Sequence, residues 1–334
     1  MRRFLVIFTL FSVLFGSAST NLPDTAPLFE GCRVLPANNI WNLRVDDAPV
    51  DPNSAAYVAS IGLNTGLHAD FGSGLWNGGP IGIPVTVVDS SVAKVPVSFD
   101  FADESDAGPY PIPAAPLIEG GSDSDGDRHI LLLDRDTCVL YELYYAWPPA
   151  EGQGWTAGSG AIFDLNSNAL RPATWTSADA AGLPIFPGLV RYDEVAAGRI
   201  EHAIRFTAQV TRREFVWPAR HQAGSTTAWN VPPMGQRFRL KADFDISAYP
   251  HQARVILQAL KEYGLILADN GSNWFLSGVP DERWDNDILA LLRSVPGSAF
   301  EAVNVQPYQV SPDSGEYRTI TIQPVVWLPF VTKQ

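Results

Sequence analysis

The sequence predicts a mainly β fold with some α, a β-sandwich or jelly-roll-like core with helices near the C-terminal part. Three observations predict it. Many short runs alternate apolar and polar residues, as in Val95 to Phe101 and Arg199 to Val210. Segments rich in Gly, Pro, Asp and Ser separate those runs, as in Leu63 to Pro84 and Asp103 to Asp127. Helical periodicity appears in force only late in the chain. No repeat at solenoid or propeller spacing and no linker interrupts the pattern. Residues 32–304 are therefore expected to form a single globular domain.

From the start, Met1-Arg2-Arg3, the apolar run Phe4 to Phe15 and Gly16-Ser17-Ala18 have the three parts of a secretory signal peptide, residues 1–18. The run is too short to span a bilayer, which takes about 20 apolar residues. No later segment is apolar enough to do so, so the mature chain is expected to have no integral membrane segment and to be secreted. Residues 19–31 read as a leader.

Asn53 to Ile61 reads as a short helix behind a cap residue. Thr86 to Val88 and Val95 to Phe101 read as strands, and His129 to Leu133 and Cys138 to Trp147 as a hairpin around Asp134 to Thr137. Cys138, Leu140, Glu142 and Tyr144 would share one face of its second strand. Ala161 to Asp164, Glu214 to Trp217 and Gln236 to Ala242 read as further strands. Ile200, His202, Ile204 and Phe206 would share one face of a long strand. Pro250 to Tyr263 and Asp281 to Arg293 carry helical patterns, the first stopped by Gly264. Leu265 to Ala268 and Trp274 to Leu276 read as a second hairpin. Residues 305–334 read as a C-terminal tail with a candidate edge strand between Tyr317 and Val331.

Composition excludes several classes. Hydrophobic residues at 46% and charged residues at 18% exclude a disordered polyelectrolyte. A net charge of −13 disfavours nucleic acid as a partner. With two cysteines there is neither a disulfide scaffold nor a cysteine-built zinc site. In an oxidising destination, Cys32 and Cys138 are expected to pair; two free buried thiols are the alternative. Nucleophile-elbow, phosphate-loop and zinc-helix motifs are absent.

The remaining chemistry lies in single residues. His202 interrupts an apolar strand face, which suits either a rigidly mounted acid/base or a core histidine bonded to backbone. Glu142, among Leu and Tyr, must be paired or have a raised pKa, and Asp179 is a second candidate catalytic carboxylate or a helix-start acid. Glu104 and Asp106 form an acidic pair in a loop. Trp175, Trp217, Arg220 and His221 are candidate substrate contacts, with an ordinary surface loop as the alternative for the last two. Asp123, Asp125 and Asp127 alternate like calcium ligands, although Arg128 stands where such a loop wants glycine; an acidic solvated turn is the other reading. No other cofactor is expected.

HADFGSG (His68 to Gly74), ESDAGPYPIP (Glu104 to Pro113), GDRHILLLDRDTCVLYEL (Gly126 to Leu143), TSADAAGLPIFPGLVRYDEV (Thr176 to Val195), IEHAIRFT (Ile200 to Thr207), VWPARH (Val216 to His221), PPMGQRFRLK (Pro232 to Lys241) and YGLILADNGSNWFLSG (Tyr263 to Gly278) together resemble a family of secreted bacterial proteins without an assigned activity. The resemblance spans roughly Cys32 to Val303 and carries over no catalytic residue. VVWLPF near the end resembles short tails of exported bacterial proteins.

Export, β scaffold and loop tryptophans such as Trp76, Trp155 and Trp229 lead to one expectation: a secreted carbohydrate-active enzyme, a glycoside hydrolase or polysaccharide lyase acting on extracellular polysaccharide. The alternatives are a non-catalytic glycan-binding or cell-surface protein, and a hydrolase of other extracellular material.

Overall fold

The computed structural model describes residues 26–149 and 154–319; the signal-peptide reading, most of the leader and the greater part of the expected edge strand lie outside them. With 28% strand and 17% helix the protein is mainly β with some α. The first of two larger sheets has four strands, ordered Ser159–Asp164, Val139–Tyr144, Ile130–Asp134 and Val85–Val88. The second has six, ordered Phe300–Val303, Arg237–Leu240, Leu265–Asn270, Ile204–Ala208, Phe275–Ser277 and His68–Asp70. Both contain parallel pairs: Val85–Val88 with Ile130–Asp134, Leu265–Asn270 with Ile204–Ala208, and Phe275–Ser277 with His68–Asp70.

The expected first hairpin is present, with Leu133 opposite Leu140 and Ile130 opposite Leu143. Period-two alternation splits its apolar residues between two cores. Leu131, Leu133 and Leu140 join the main cluster, which also holds Ile204, Phe206 and Leu267. Ile130, Leu132 and Leu143 join a smaller cluster with Val97, Tyr110 and Ala157. The expected hairpin between Leu265 and Leu276 is not a pairing, because Ile204–Ala208 lies between its two strands. The connection wraps the end of that inserted strand instead. Gly271 N–H donates to Ala208 O, Trp274 N–H to Thr207 O, and the Thr207 hydroxyl to Ser272 O.

The helices keep their expected places with shifted ends. Ser54–Ile61 and His251–Glu262 form, and the second buries Ala253, Ile256, Leu257 and Leu260. Gly264 follows it at φ +69, the left-handed region that favours glycine. The expected Asp281 to Arg293 helix shortens to Asn286–Ala290 and a 3-10 turn, Leu291–Ser294. Its start is set by Asp285, whose carboxylate accepts from the N–H groups of Asp287 and Ile288, while Asp281 caps a separate turn at Arg283 N–H. Likewise the long run from Arg199 yields a strand only at Ile204–Ala208, so His202 precedes it. The helix Tyr192–Ala197 and the strand Phe300–Val303 were not expected.

Two devices tie distant segments. Buried Arg237 donates to the carbonyls of Tyr263, Ile40 and Leu43, and burial with no carboxylate partner lowers its pKa to about 9. Cys32 and Cys138 form a disulfide, 106 residues apart in sequence. Removing it by Cys32→Ser/Cys138→Ser is expected to lower the unfolding free energy by up to about 4.7 kcal/mol, the loop-entropy value for a loop of about 100 residues. Chemical denaturation of the two proteins measures the difference, and equal midpoints would refute the expectation.

Candidate functional site

Sheet register assembles the site. In the six-stranded sheet Asp70 is opposite Ser277, and Phe206 is opposite Leu276, which places Arg205 beside Ser277. Asp70, Ser277 and Arg205 thus form a polar row across three neighbouring strands. A bulge extends the row. The register slips between Phe206 and Thr207, so that Asp269 rather than Ala268 stands opposite Thr207. That one-residue slip turns Asp269 toward the Arg205 face.

A segment of chain, Thr176 to Gly188, is threaded between this row and the four-stranded sheet. The Ser159 hydroxyl donates to Ser177 O from one side, and Ala181 N–H donates to Ala268 O on the other. Glu142 receives the N–H groups of Ile185 (3.0 and 2.9 Å to its two oxygens) and Phe186 (2.9 Å). Burial pushes its carboxyl up and those backbone donors pull it down, leaving it raised to about 7. Asp179 projects from the same segment onto Arg205.

Arg205 is the hub. Its Nε and Nη2 donate to the two oxygens of Asp179 at 2.8 Å each, Nη2 also donates to Asp269 at 2.8 Å, and Nη1 donates to the Ser277 hydroxyl at 2.6 Å. The Asp179 side chain is fully shielded from solvent. One cation facing two acids leaves an imbalance, and it falls on Asp269. Burial and the neighbouring Asp179 charge raise Asp269 to about 7 against the pull of Arg205.

Glu119 and His129 form the second half. His129 Nδ1 lies 2.5 Å from Glu119 Oε2, and its Nε2 lies 3.0 Å from the carbonyl of Ala178. A carbonyl only accepts, so Nε2 carries a hydrogen. The short Nδ1···O contact then needs one further proton, held by the imidazole or the carboxyl. Burial lowers the His129 pKa, but the Glu119 charge and hydrogen bond outweigh it and raise it to about 9. Burial likewise raises Glu119, and the His129 charge outweighs that to leave its carboxyl below the usual range. The pair is therefore ionic at neutral pH.

A folded-state value of about 9 against an ordinary 6.5 gives His129 a stabilising contribution that is complete below pH 6.5 and lost as pH rises through 9. Stability is expected to fall by up to about 3 kcal/mol across that window. Glu119→Gln is expected to abolish that fall. Urea denaturation on both sides of the window checks it, and an unchanged slope in the variant would refute it.

A cleft of about 540 Å³ reaches Asp70 and Glu119 at the edge of this cluster and is also lined by His68, Trp76, Phe275 and Arg293 among others. Asp70 reaches solvent from within the concavity. Reduced solvation and the Glu119 charge raise its carboxyl, against Arg205. Burial and Arg293 lower the pKa of His68, whose Nδ1 accepts from Arg293 Nε at 3.2 Å. Trp76 is 71% exposed on a small hairpin. That hairpin sits directly on the Glu119 loop: a Cβ at Gly79 would meet the backbone of Gly120 at 2.0 Å.

The expected site residues divide. Asp179 belongs to the cluster, and Glu142 lies beside it as an anchor for the threaded segment. His202 is elsewhere: its Nδ1 lies 2.8 Å from Ala203 O and its Nε2 3.1 Å from Glu194, which also pairs with Arg191 at 2.7 Å. Trp217 is buried and donates from its indole to Ser314 O. Arg220 is spent on Arg171 O, Pro312 O and Asp313. Trp175 lies 5.5 Å from the Arg171 guanidinium, and His221 Nδ1 lies 2.8 Å from Ala180 O. Glu104 accepts from Thr176 N–H, and Asp106 pairs with Arg171. None of the four expected substrate contacts, Trp175, Trp217, Arg220 and His221, lines the cleft.

The expected calcium loop holds an internal cation. Buried Arg128 donates from Nη1 to Ser122 O and Ser124 O, between Asp123 and Asp127. A guanidinium on those carbonyls would repel calcium. Among the described residues Asp127 instead meets Glu119 and His129, with potential ligand atoms within 4.8 Å of one another. Both nitrogens of His129 already serve Glu119 and Ala178.

Sequence reading missed Asp70, Glu119, His129, Arg205 and Asp269. The available signal was a charged residue set at the mouth of an apolar strand, as in Asp127-Arg128-His129 before Ile130 or Asp269 after Ala268. No protein family matches the chain, and no curated protein or solved structure is significantly similar to it.

Proposed function

We propose that the protein is a secreted glycoside hydrolase acting on extracellular polysaccharide. One observation carries this reading: Asp70 and Glu119 line the same cleft with their carboxyl pKa values pushed in opposite directions. Glycosidic cleavage by two carboxyl groups needs that division of protonation. Asp70 keeps its proton to higher pH and gives it to the leaving oxygen. Glu119 stays ionised and acts on the sugar carbon, directly or through a water. His129 holds Glu119 in place, and Arg205 holds Asp269 and Asp179 behind it. Trp76 at the rim offers a flat apolar face to a sugar ring.

Export is part of the proposal, supported by the signal-like start and by the Cys32–Cys138 bond, which persists in oxidising compartments. A sandwich of the two larger sheets is supported by the shared cluster of Leu131, Leu133 and Leu140 with Ile204 and Phe206. The parallel pairs depart from a strictly antiparallel jelly roll.

The test is a panel of soluble polysaccharides assayed for new reducing ends. Their appearance supports hydrolysis. Unsaturated uronide products would replace it with a lyase, and binding without product would replace it with a static glycan-binding protein.

A further inference from the structure

We propose that Tyr145 and Trp147 form a sugar-stacking subsite outside the cleft, linked by a series of rings to the Glu119 partner His129, so that the substrate is an extended polysaccharide chain rather than a free mono- or disaccharide. The proposal rests on the glycan reading above and deepens it.

A series of rings starts at His129, the partner of Glu119. His129 and Tyr144 have centroids 5.7 Å apart, Tyr144 and Tyr145 6.0 Å, and Tyr145 and Trp147 5.5 Å. Tyr145 is 40% exposed and Trp147 37%. The platform is rigid. The Arg128 guanidinium lies 3.7 Å from the Trp147 ring centroid, so one face of the indole rests on a cation. That cation is itself buried and fixed by Ala146 O, Ser122 O and Ser124 O. Trp147 exchanges two backbone hydrogen bonds with Thr156.

Backbone strain adds a second, independent observation. Tyr145 sits at φ 52 and Arg128 at φ 49, in the left-handed region that non-glycine residues avoid. Tyr145 N–H donates to Asp127 O, which ties the two turns together. At Tyr145 the left-handed backbone carries an exposed aromatic, as strained positions at ligand sites do. A fixed ring loses little entropy on binding, and its flat apolar face matches the C–H face of a pyranose. Exposed Asp127 alongside supplies an acceptor for hydroxyl groups. The acidic surroundings of Asp123, Asp125 and Asp127 suit a neutral, hydroxyl-rich chain better than a polyanion.

Affinity electrophoresis in gels containing xylan, galactomannan, mixed-linkage glucan or polygalacturonate tests the proposal, with the full mature chain. Tyr145→Gly/Trp147→Ala is expected to weaken retardation by a neutral polymer at least tenfold. Trp147→Phe is expected to retain most of it, and Trp229→Ala, at an exposed indole outside the ring series, all of it. Tyr145→Gly alone relieves the left-handed strain, so it is expected to melt no lower than the wild type while losing affinity. That result separates a binding role from a merely structural one. Retardation of the wild type that the double variant keeps in full overturns the subsite and leaves the hydrolase reading standing. Loss of retardation in the double variant, with no product from the wild type, supports the subsite and overturns the hydrolase. A wild type that none of the polymers retards overturns both.

Discussion

Glu119→Gln is expected to cut polysaccharide turnover by about 10²–10⁴-fold, the range for removing a positioned acid or base. The amide matches the carboxylate in shape, and its NH2 can donate to the unprotonated Nδ1 of a neutral His129, so folding survives while the charge is lost. Asp70→Asn is expected to cost a similar factor and to remove the alkaline limb of the pH profile, because the wild-type limb reports loss of the Asp70 proton. The acidic limb belongs to Glu119, whose carboxyl lies below its ordinary 4.5. Azide added to Glu119→Ala supplies a substitute anion. Restored turnover, and the anomeric form of the product, then show whether Glu119 attacks the sugar or activates water. Unchanged turnover in Glu119→Gln would remove Glu119, and with it the two-carboxyl mechanism.

Arg205→Met is expected to destabilise the protein by about 3–5 kcal/mol, the cost of breaking one partner out of a buried ion pair. Asp179 would lose both charged hydrogen bonds in a place with no solvent access. Asp269 would lose its ion pair with Arg205. A loss of that size is a large share of the roughly 5–15 kcal/mol that holds a domain folded. Both orphaned acids would take up protons, so the variant is expected to recover stability as pH falls. Arg205→Met/Asp179→Leu is expected to regain part of the deficit, since one of the two orphaned acids is then gone and Asp269 also loses the repulsion of Asp179. Urea denaturation of the three proteins measures each step. A single-variant loss under about 1 kcal/mol, within the range for exposed pairs, would contradict the central place given to Arg205.

Strands whose pattern is local were legible in the sequence. The Ile130–Asp134 and Val139–Tyr144 hairpin has a run of apolar residues, a polar turn and a second apolar run, and it formed as read. The His251–Glu262 helix carried its own periodicity and its own glycine stop. What failed was pairing at a distance. Leu265 to Leu276 has every local mark of a hairpin, yet Ile204–Ala208 intervenes, because a parallel partner leaves no turn to read. The same limit hid the site. Asp269 faces Arg205 through a one-residue slip between strands, and such a slip has no signature in one sequence. Glu142 and Asp179 stood out because a carboxylate in an apolar setting is conspicuous. His202 stood out for the same reason, and Glu194 is the partner that its burial requires. Asp70 and Glu119 lie where polar residues are ordinary, and only the fold sets them on one cleft.

The stretch from Thr176 to Gly188 is held much as a receptor holds a peptide. Glu142 reads two of its amides, Ser159 reads a carbonyl, and Arg205 clasps its one acid. Excision would leave a slot already furnished with those ligands. A synthetic copy of the stretch, added in trans to a chain lacking it, would then be a fitting guest, and the fold would be rebuilt by complementation.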